Sequence, residues 1–159
     1  MTPALAAKVL TVSDGVADGS RADRSGPALV QRLVEAGFDV VAADVSPDGR
    51  EAVAQALRTL TKGFHGLVVT TGGTGFGPRD LTPEATRDVI EREAPGLAEA
   101  MRAASPRPFG MLSRGVAGSR GRSLVLNVPG SERGALECLD AVIDAVPHAL
   151  DLLGGGAPH

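Results

Sequence analysis

A glycine-dense loop between an apolar run and a helix start places the strongest constraint on how this chain folds. Residues 66–69 are apolar, residues 70–77 contain four glycines, and residues 82–84 read Thr-Pro-Glu, a pattern typical of a helix start. Glycine lets backbone N–H groups approach an anion closely, and a helix N-terminus carries about half a positive charge. The loop therefore predicts a phosphate or carboxylate site at the end of a strand.

In the rest of the chain, segments with a strand-like apolar pattern alternate with segments whose apolar residues have helical spacing. Apolar, β-branched segments predict strands at residues 8–12, 38–45, 67–70 and 122–127. Segments of helical spacing follow them; we expect Ser25 and Thr82 to cap two of these helices and Pro147 to kink the last. This alternation predicts a single α/β domain over residues 1–159, a three-layer α/β/α sandwich with a mostly parallel sheet.

Four strand-to-loop junctions carry the candidate binding residues. They lie at residues 13–15, 46–49, 70–77 and 127–131. Because ligands bind beyond the carboxyl ends of parallel strands, all four junctions should meet at one edge of the sheet. The glycine spacing matches neither a P-loop nor a dinucleotide fingerprint, and a glycine cluster of this kind is also compatible with a plain tight turn.

Two aspartates in these loops are candidate metal ligands. A carboxylate such as Asp80 conflicts with a neighbouring anion site unless a cation lies between them. Asp48 and Asp80 together are suited to hold magnesium against a triphosphate. Each also has a simpler explanation, because Asp80 could pair with Arg79 and Asp48 lies in ordinary Pro-Asp-Gly turn chemistry.

Composition excludes several classes of function. The net charge of −3 provides no general basic field, so we expect no nucleic-acid partner. The only cysteine, Cys138, excludes an internal disulfide, and the three histidines lack the spacing of a zinc site. Residues 1–7 lack the features of a signal peptide, and no apolar run reaches membrane length. We therefore expect a cytoplasmic protein without a membrane partner.

Several motifs together resemble the MogA/MoaB family of molybdopterin adenylyltransferases, to which the G domains of Cnx1 and gephyrin are similar. The matching motifs are Ser13-Asp14, the loop from Thr70 to Gly75, Arg79-Asp80, the segment 111–115 and the segment 126–130. The resemblance extends from about residue 8 to residue 153, and it is the combination of motifs that is specific.

The resemblance implies an enzyme of molybdenum cofactor biosynthesis that transfers AMP from ATP to the phosphate of molybdopterin and releases pyrophosphate. Its functional aspartates fall on Asp48 and Asp80, which would be both the catalytic residues and the ligands of Mg²⁺. The substrate-binding positions fall on the following residues: Ser13, Asp14, Thr71, Gly72, Gly73, Thr74, Gly75, Ser113, Arg114, Asn127, Pro129, Gly130 and Ser131.

The resemblance also implies a homotrimer or hexamer that passes its product to a downstream molybdenum-insertion protein. One position departs from the family, because Arg133 stands near a slot where many relatives have lysine. The alternative interpretation is a non-catalytic molybdopterin-binding paralogue or scaffold, against which the presence of both aspartates argues.

Overall fold

The computed structural model describes residues 3–157 and contains one six-stranded sheet between two layers of helices. The strands are Ala6–Val12 (β1), Asp39–Ser46 (β2), Gly66–Thr71 (β3), Arg92–Glu93 (β4), Ala117–Arg120 (β5) and Ser123–Val128 (β6). The helices are Asp14–Ala17 (α1), Ser25–Glu35 (α2), Arg50–Thr61 (α3), Thr82–Val89 (α4), Pro95–Ala104 (α5), Phe109–Leu112 (α6), Glu132–Val142 (α7) and Val146–Leu153 (α8). None of the helices within residues 3–157 has the length and apolar character needed to cross a bilayer.

The sheet has the strand order β2-β1-β3-β6-β5-β4 and is parallel over its first four strands. β3 and β6 are buried at every position, as expected for central parallel strands covered on both faces. The α/β class and the mostly parallel sheet are thus confirmed. β5 and β4 form an antiparallel edge that the sequence analysis did not predict. β5 reads Ala-Gly-Ser-Arg and β4 has two residues, so neither carries an apolar strand pattern.

Two hydrophobic clusters, one on each face of the sheet, hold the layers together. One face packs against α2, α5, α7 and α8 through a cluster that includes Leu29, Leu126 and Leu139. The opposite face packs against α3 and α4 through a smaller cluster that includes Leu57 and Val89. Cys138 is buried in the first cluster, as an inert core thiol would be.

Two predicted helix caps were wrong by one residue, and both differences have a physical reason. α2 begins at Ser25 itself, because the Asp23 carboxylate accepts the free N–H of Gly26 (3.0 Å) and performs the capping role. α4 begins at Thr82, whose hydroxyl donates to the carbonyl of Gly72 (3.0 Å) instead of capping the helix. The predicted kink at Pro147 appears as a 3₁₀ turn over Ile143–Ala145, just before the proline.

The main-chain conformation of Gly72 provides a test of how tightly the loop after β3 is packed. Gly72 has a φ of +105°, and a Cβ there would collide with the carbonyl oxygen of Val12. Gly72→Ala should therefore lower the free energy of unfolding by about 3 kcal/mol, through left-handed strain and overpacking. Urea unfolding followed by circular dichroism measures this change.

Gly96→Ala is the matched control, because Gly96 lies in α5, has no positive φ and leaves open space within 4 Å of the point that a Cβ would occupy. That substitution should leave stability unchanged or raise it by up to about 1 kcal/mol. Equal effects of the two substitutions would contradict the constraint on Gly72.

Candidate active site

The loops after the four parallel strands meet around one cavity of about 480 Å³, here called the first cavity. The loops after β1, β2, β3 and β6 all contribute to its wall, as their position at the carboxyl ends of parallel strands predicts. Its lining residues include Ser13, Asp48, Thr71, Gly72, Gly73, Asp80, Gly130 and Ser131.

The glycine loop is fixed by its neighbours and leaves a row of donors unused. The N–H of Gly72 donates to Val128 (3.1 Å), and the carbonyl of Gly73 accepts the N–H of Thr82 (3.1 Å). No residue in the range 3–157 accepts a hydrogen bond from the backbone N–H groups of Gly73, Thr74 and Gly75. Consecutive unpaired N–H groups in a rigid turn form a concavity suited to an anion.

The turns after β1 and β2 are joined by a reciprocal pair of hydrogen bonds. The N–H of Asp14 donates to Asp48 Oδ2 (2.9 Å), and the N–H of Asp48 donates to Asp14 Oδ1 (3.1 Å). Arg79 then binds Asp14 through Nε (2.7 Å) and Nη2 (3.0 Å) and donates to the carbonyl of Asp48 (2.8 Å). Arg79 therefore pairs with Asp14, and the simpler explanation of Asp80 as its partner is wrong.

This geometry shifts the two carboxyl pKa values in opposite directions. The pKa of Asp48 is raised above 3.8, mainly because the carboxyl is partly buried, and the negative charges of Asp14 and Asp80 add to the rise. The N–H of Asp14 and the charge of Arg79 act in the other direction. The pKa of Asp14 is lowered, mainly by the hydrogen bond from Arg79. Asp48 is thus an anion held next to other anions.

Asp48 and Asp80 fit the requirements of a magnesium ion that also binds a substrate phosphate. Each carboxylate has one oxygen that accepts a backbone N–H, from Asp14 for Asp48 and from Gly77 (2.9 Å) for Asp80. The other oxygen of each accepts no hydrogen bond from residues 3–157, and both side chains line the first cavity. That range contains no group of three metal-binding side chains, whereas Mg²⁺ is commonly held by one or two carboxylates plus phosphates and water.

Arg114 braces the glycine loop. Its Nε donates to the carbonyl of Gly75 (2.8 Å), its Nη2 donates to the carbonyl of Asp80 (2.7 Å), and its Nη1 pairs with Glu84 (2.7 Å). Its backbone N–H donates to Thr74 (2.9 Å). The guanidinium thus connects both ends of the loop to α4, and its predicted role in substrate binding remains a prediction.

Asn127 is a buried connector between elements. Its Nδ2 donates to the hydroxyls of Thr70 (2.9 Å) and Thr86 (3.0 Å), and its Oδ1 accepts the N–H of Val116 (3.1 Å). Only 2 % of the residue is exposed, so these polar atoms are used within the protein. Its predicted contact with substrate likewise remains a prediction.

A second cavity of about 580 Å³ adjoins the glycine loop and is lined by residues of the segment 105–113 and by the start of α7. The predicted residues Thr74, Gly75, Ser113 and Pro129 lie in its wall, and Ser131 lines both cavities. The contribution of residues 105–110 was not predicted from the sequence, because prolines 106 and 108 argue against regular structure and these residues lie outside the matching motifs.

The wall that residues 21–25 contribute to the first cavity was also missed, including Arg21, Asp23 and Arg24. Asp23 accepts hydrogen bonds from Thr11 Oγ1 (2.8 Å) and from the N–H of Gly26, which fixes the loop between β1 and α2 at the edge of the cavity. The available signal was the long polar segment that follows the apolar run 8–12, at a junction where the sequence predicts the binding edge.

Residues 8–148 match the family described as "Probable molybdopterin binding domain". The chain belongs to the molybdopterin-binding domain family. Among curated relatives, the molybdopterin adenylyltransferase of Helicobacter pylori J99 is 39 % identical over 157 residues, covering 92 % of this chain and 86 % of that protein.

Other members of the molybdopterin-binding domain family show the same relationship. The molybdenum cofactor synthesis protein cinnamon of Drosophila melanogaster is 39 % identical over 150 residues, and the alignment covers 92 % of this chain but only 25 % of that protein. The solved structure of the molybdopterin biosynthesis enzyme MoaB from Thermus thermophilus superimposes with a TM-score of 0.88 at 46 % identity, covering 95 % of this chain and 97 % of that one. The family expected from the sequence motifs is confirmed.

The opposite pKa shifts predict opposite stability effects when each carboxylate is replaced. Ionising Asp48 is less favourable in the folded protein than in the unfolded chain, so Asp48→Asn should raise the free energy of unfolding at pH 7. That gain should shrink as the pH falls through the raised pKa of folded Asp48 and vanish below 3.8, where the carboxyl is protonated in both states. Thermal unfolding from pH 3.5 to pH 7.5 in the presence of a chelator measures it.

Asp14→Asn is the control of opposite sign. The pKa of Asp14 is lowered, so its contribution to stability is present above the unfolded pKa and is lost as the pH falls through the folded pKa. The substitution should therefore lower stability at pH 7 and have less effect in acid. A loss of stability at pH 7 in both variants would contradict the conclusion that burial and neighbouring charges make the ionised Asp48 unfavourable in the folded protein.

Proposed function

We propose that this chain is a molybdopterin adenylyltransferase of molybdenum cofactor biosynthesis, which transfers AMP from ATP to the phosphate of molybdopterin and uses magnesium. The observation that carries the proposal is the meeting of Asp48, Asp80 and the unpaired N–H groups of the glycine loop where two cavities adjoin. Relatives that are 38–39 % identical and nearly matched in length bear the name molybdopterin adenylyltransferase.

The first and second cavities adjoin each other, as the sites of the two substrates in a direct transfer must. The first cavity contains both aspartates and would hold the triphosphate of ATP, with Mg²⁺ bound by Asp48 and Asp80 to neutralise phosphate charge. The second cavity would hold the pterin. The glycine loop and Ser131 lie at the boundary, so the phosphates of both substrates would meet there.

The transfer would proceed by direct attack. An oxygen of the pterin phosphate forms a bond to the α-phosphorus of ATP, the bond from that phosphorus to the bridging oxygen breaks, and pyrophosphate leaves with the electron pair. A phosphate monoester has its second pKa near 6, so the nucleophile is already ionised at neutral pH and needs no general base. The backbone N–H groups of Gly73, Thr74 and Gly75 orient the phosphate oxygens, and positioning supplies most of the acceleration.

The exposed edge of the sheet supports the proposed homotrimer or hexamer. β2 is an edge strand of eight residues, and Val41 and Val45 on it are 53 % and 45 % exposed. A long apolar edge of this kind is usually covered in a stable protein. Light scattering measures the mass of the assembly directly.

The proposed location is the cytoplasm, and the proposed recipient of the product is a molybdenum-insertion protein.

Asp80→Asn provides the decisive test of the catalytic assignment. The substitution keeps the shape of the side chain but removes the charge that would hold magnesium, so single-turnover formation of adenylylated molybdopterin should fall by about 100-fold or more. Pterin affinity should stay within about twofold of the wild type, because the pterin lies in the second cavity.

The matched control is Asp88→Asn, which removes a carboxylate on α4 that pairs with Arg50 (2.7 Å) and does not line either cavity. Its turnover should equal that of the wild type. Equal loss of pterin binding and turnover in Asp80→Asn would refute the role of Asp80. A wild-type protein that binds pterin tightly without forming product would instead belong to the non-catalytic, carrier class.

A further inference from the structure

The polar loop between β1 and α2 brings two arginines without ionic partners into the first cavity. Arg21 and Arg24 both line the cavity, and neither guanidinium has a hydrogen bond or ion pair within residues 3–157. By contrast, Arg79 and Arg114, which also lie close to the site, are occupied by Asp14 and Glu84. The cations available to a ligand in the first cavity are therefore those of this loop.

The loop that carries these arginines is held in a defined position. Thr11 Oγ1 donates to one oxygen of Asp23 (2.8 Å), and the N–H of Gly26 donates to the other (3.0 Å). The N–H of Arg21 donates to the carbonyl of Gly15 (3.0 Å). A Cβ at Gly26 would lie within 2.5 Å of Asp23 Oδ2, so the loop packs closely against the start of α2. Both Asp23 oxygens are thus used locally, and within the described residues Asp23 forms no ion pair with Arg21 or Arg24.

The position of the loop separates the arginines from the second cavity. α7 packs between α2 and α5, and its cap residue Ser131 forms the boundary between the two cavities. Arg24 lies at the start of α2, on one side of that boundary, and the second cavity lies on the other side. A triphosphate whose α-phosphorus faces the second cavity would therefore extend its outer phosphates towards Arg21 and Arg24.

We propose that Arg21 and Arg24 bind the β- and γ-phosphates of ATP and hold the pyrophosphate as it leaves. This assignment rests on the proposed adenylyl transfer and identifies where its leaving group is received. When the bond from the α-phosphorus breaks, the bridging oxygen takes the electron pair and the pyrophosphate gains charge. The planar guanidinium offers paired N–H donors that match phosphate oxygens, so two of them stabilise that charge without accepting a proton.

The test is calorimetric binding of inorganic pyrophosphate and, separately, of AMP, each with Mg²⁺, to the wild type and to single variants. Arg21→Ala and Arg24→Ala should each weaken pyrophosphate binding by about 10-fold to 100-fold, the range for a charge-assisted hydrogen bond. AMP and molybdopterin binding should change by less than about twofold, because both ligands lack the β- and γ-phosphates that this assignment gives to the two arginines. Arg24→Lys should recover part of the lost affinity, because it restores charge without the paired donors.

Arg122→Ala is the matched control. Arg122 is exposed, has no ionic partner within the described residues, and lies just before β6, at the end of the sheet opposite the site. The same loss of one positive charge there should leave pyrophosphate binding unchanged. If Arg122→Ala weakened pyrophosphate binding equally, the effect would come from the net charge of the protein and not from contact with the loop arginines, and the proposal would be overturned.

The remaining outcomes separate this assignment from the proposed function. Unchanged pyrophosphate affinity in both loop variants, or equal weakening of AMP, overturns the arginine assignment while adenylyl transfer by the wild type still stands. If the wild type forms adenylylated pterin but does not bind pyrophosphate, the arginine assignment is likewise overturned and adenylyl transfer stands. A wild type that binds pterin but neither ATP nor pyrophosphate overturns both proposals.

Discussion

The close contact between Gly72 and the end of β1 is the constraint on which the site depends. The main chain of Gly72 lies against the carbonyl of Val12, and its own carbonyl accepts the hydroxyl of Thr82. These contacts fix where the chain leaves β3 and where α4 begins. Between those two points Arg114 also holds the carbonyls of Gly75 and Asp80, so the N–H groups of the loop are positioned before a ligand binds, which lowers the conformational cost of binding.

The arginines near that loop differ in whether the protein itself uses their charge. Arg79 binds Asp14 and the carbonyl of Asp48 and so joins the turns after β1 and β2. Arg114 binds Glu84 and the carbonyl of Gly75 and so holds the glycine loop against α4. Asp48 is left as a carboxylate among carboxylates, a state that a bound cation would relieve. A carboxyl with a raised pKa in a hydrogen-bonded frame is an arrangement common at ligand sites.

The parts of this site that the sequence predicted are those governed by topology. Four strand ends in a parallel sheet must share one edge, so the meeting of Asp48 with Asp80 followed from the order of elements alone. No such rule governs which side chains pair. The sequence therefore did not predict that Arg79 binds Asp14, or that the buried Asn127 side chain makes three hydrogen bonds within the protein. β5 was missed for a related reason, because its Ala-Gly-Ser-Arg segment becomes a strand only by pairing with β6.

The Ser131 hydroxyl caps α7, and this hydrogen bond affects how the group can interact with a ligand. Its Oγ accepts the N–H of Gly134 (3.2 Å) and so caps α7, which occupies a lone pair of the oxygen. The hydroxyl hydrogen takes no part in that bond and remains free to be donated into either adjoining cavity. Because the cap uses only a lone pair of the oxygen, the wall shared by the two cavities can still offer the O–H group as a hydrogen-bond donor to an anion that lies between them.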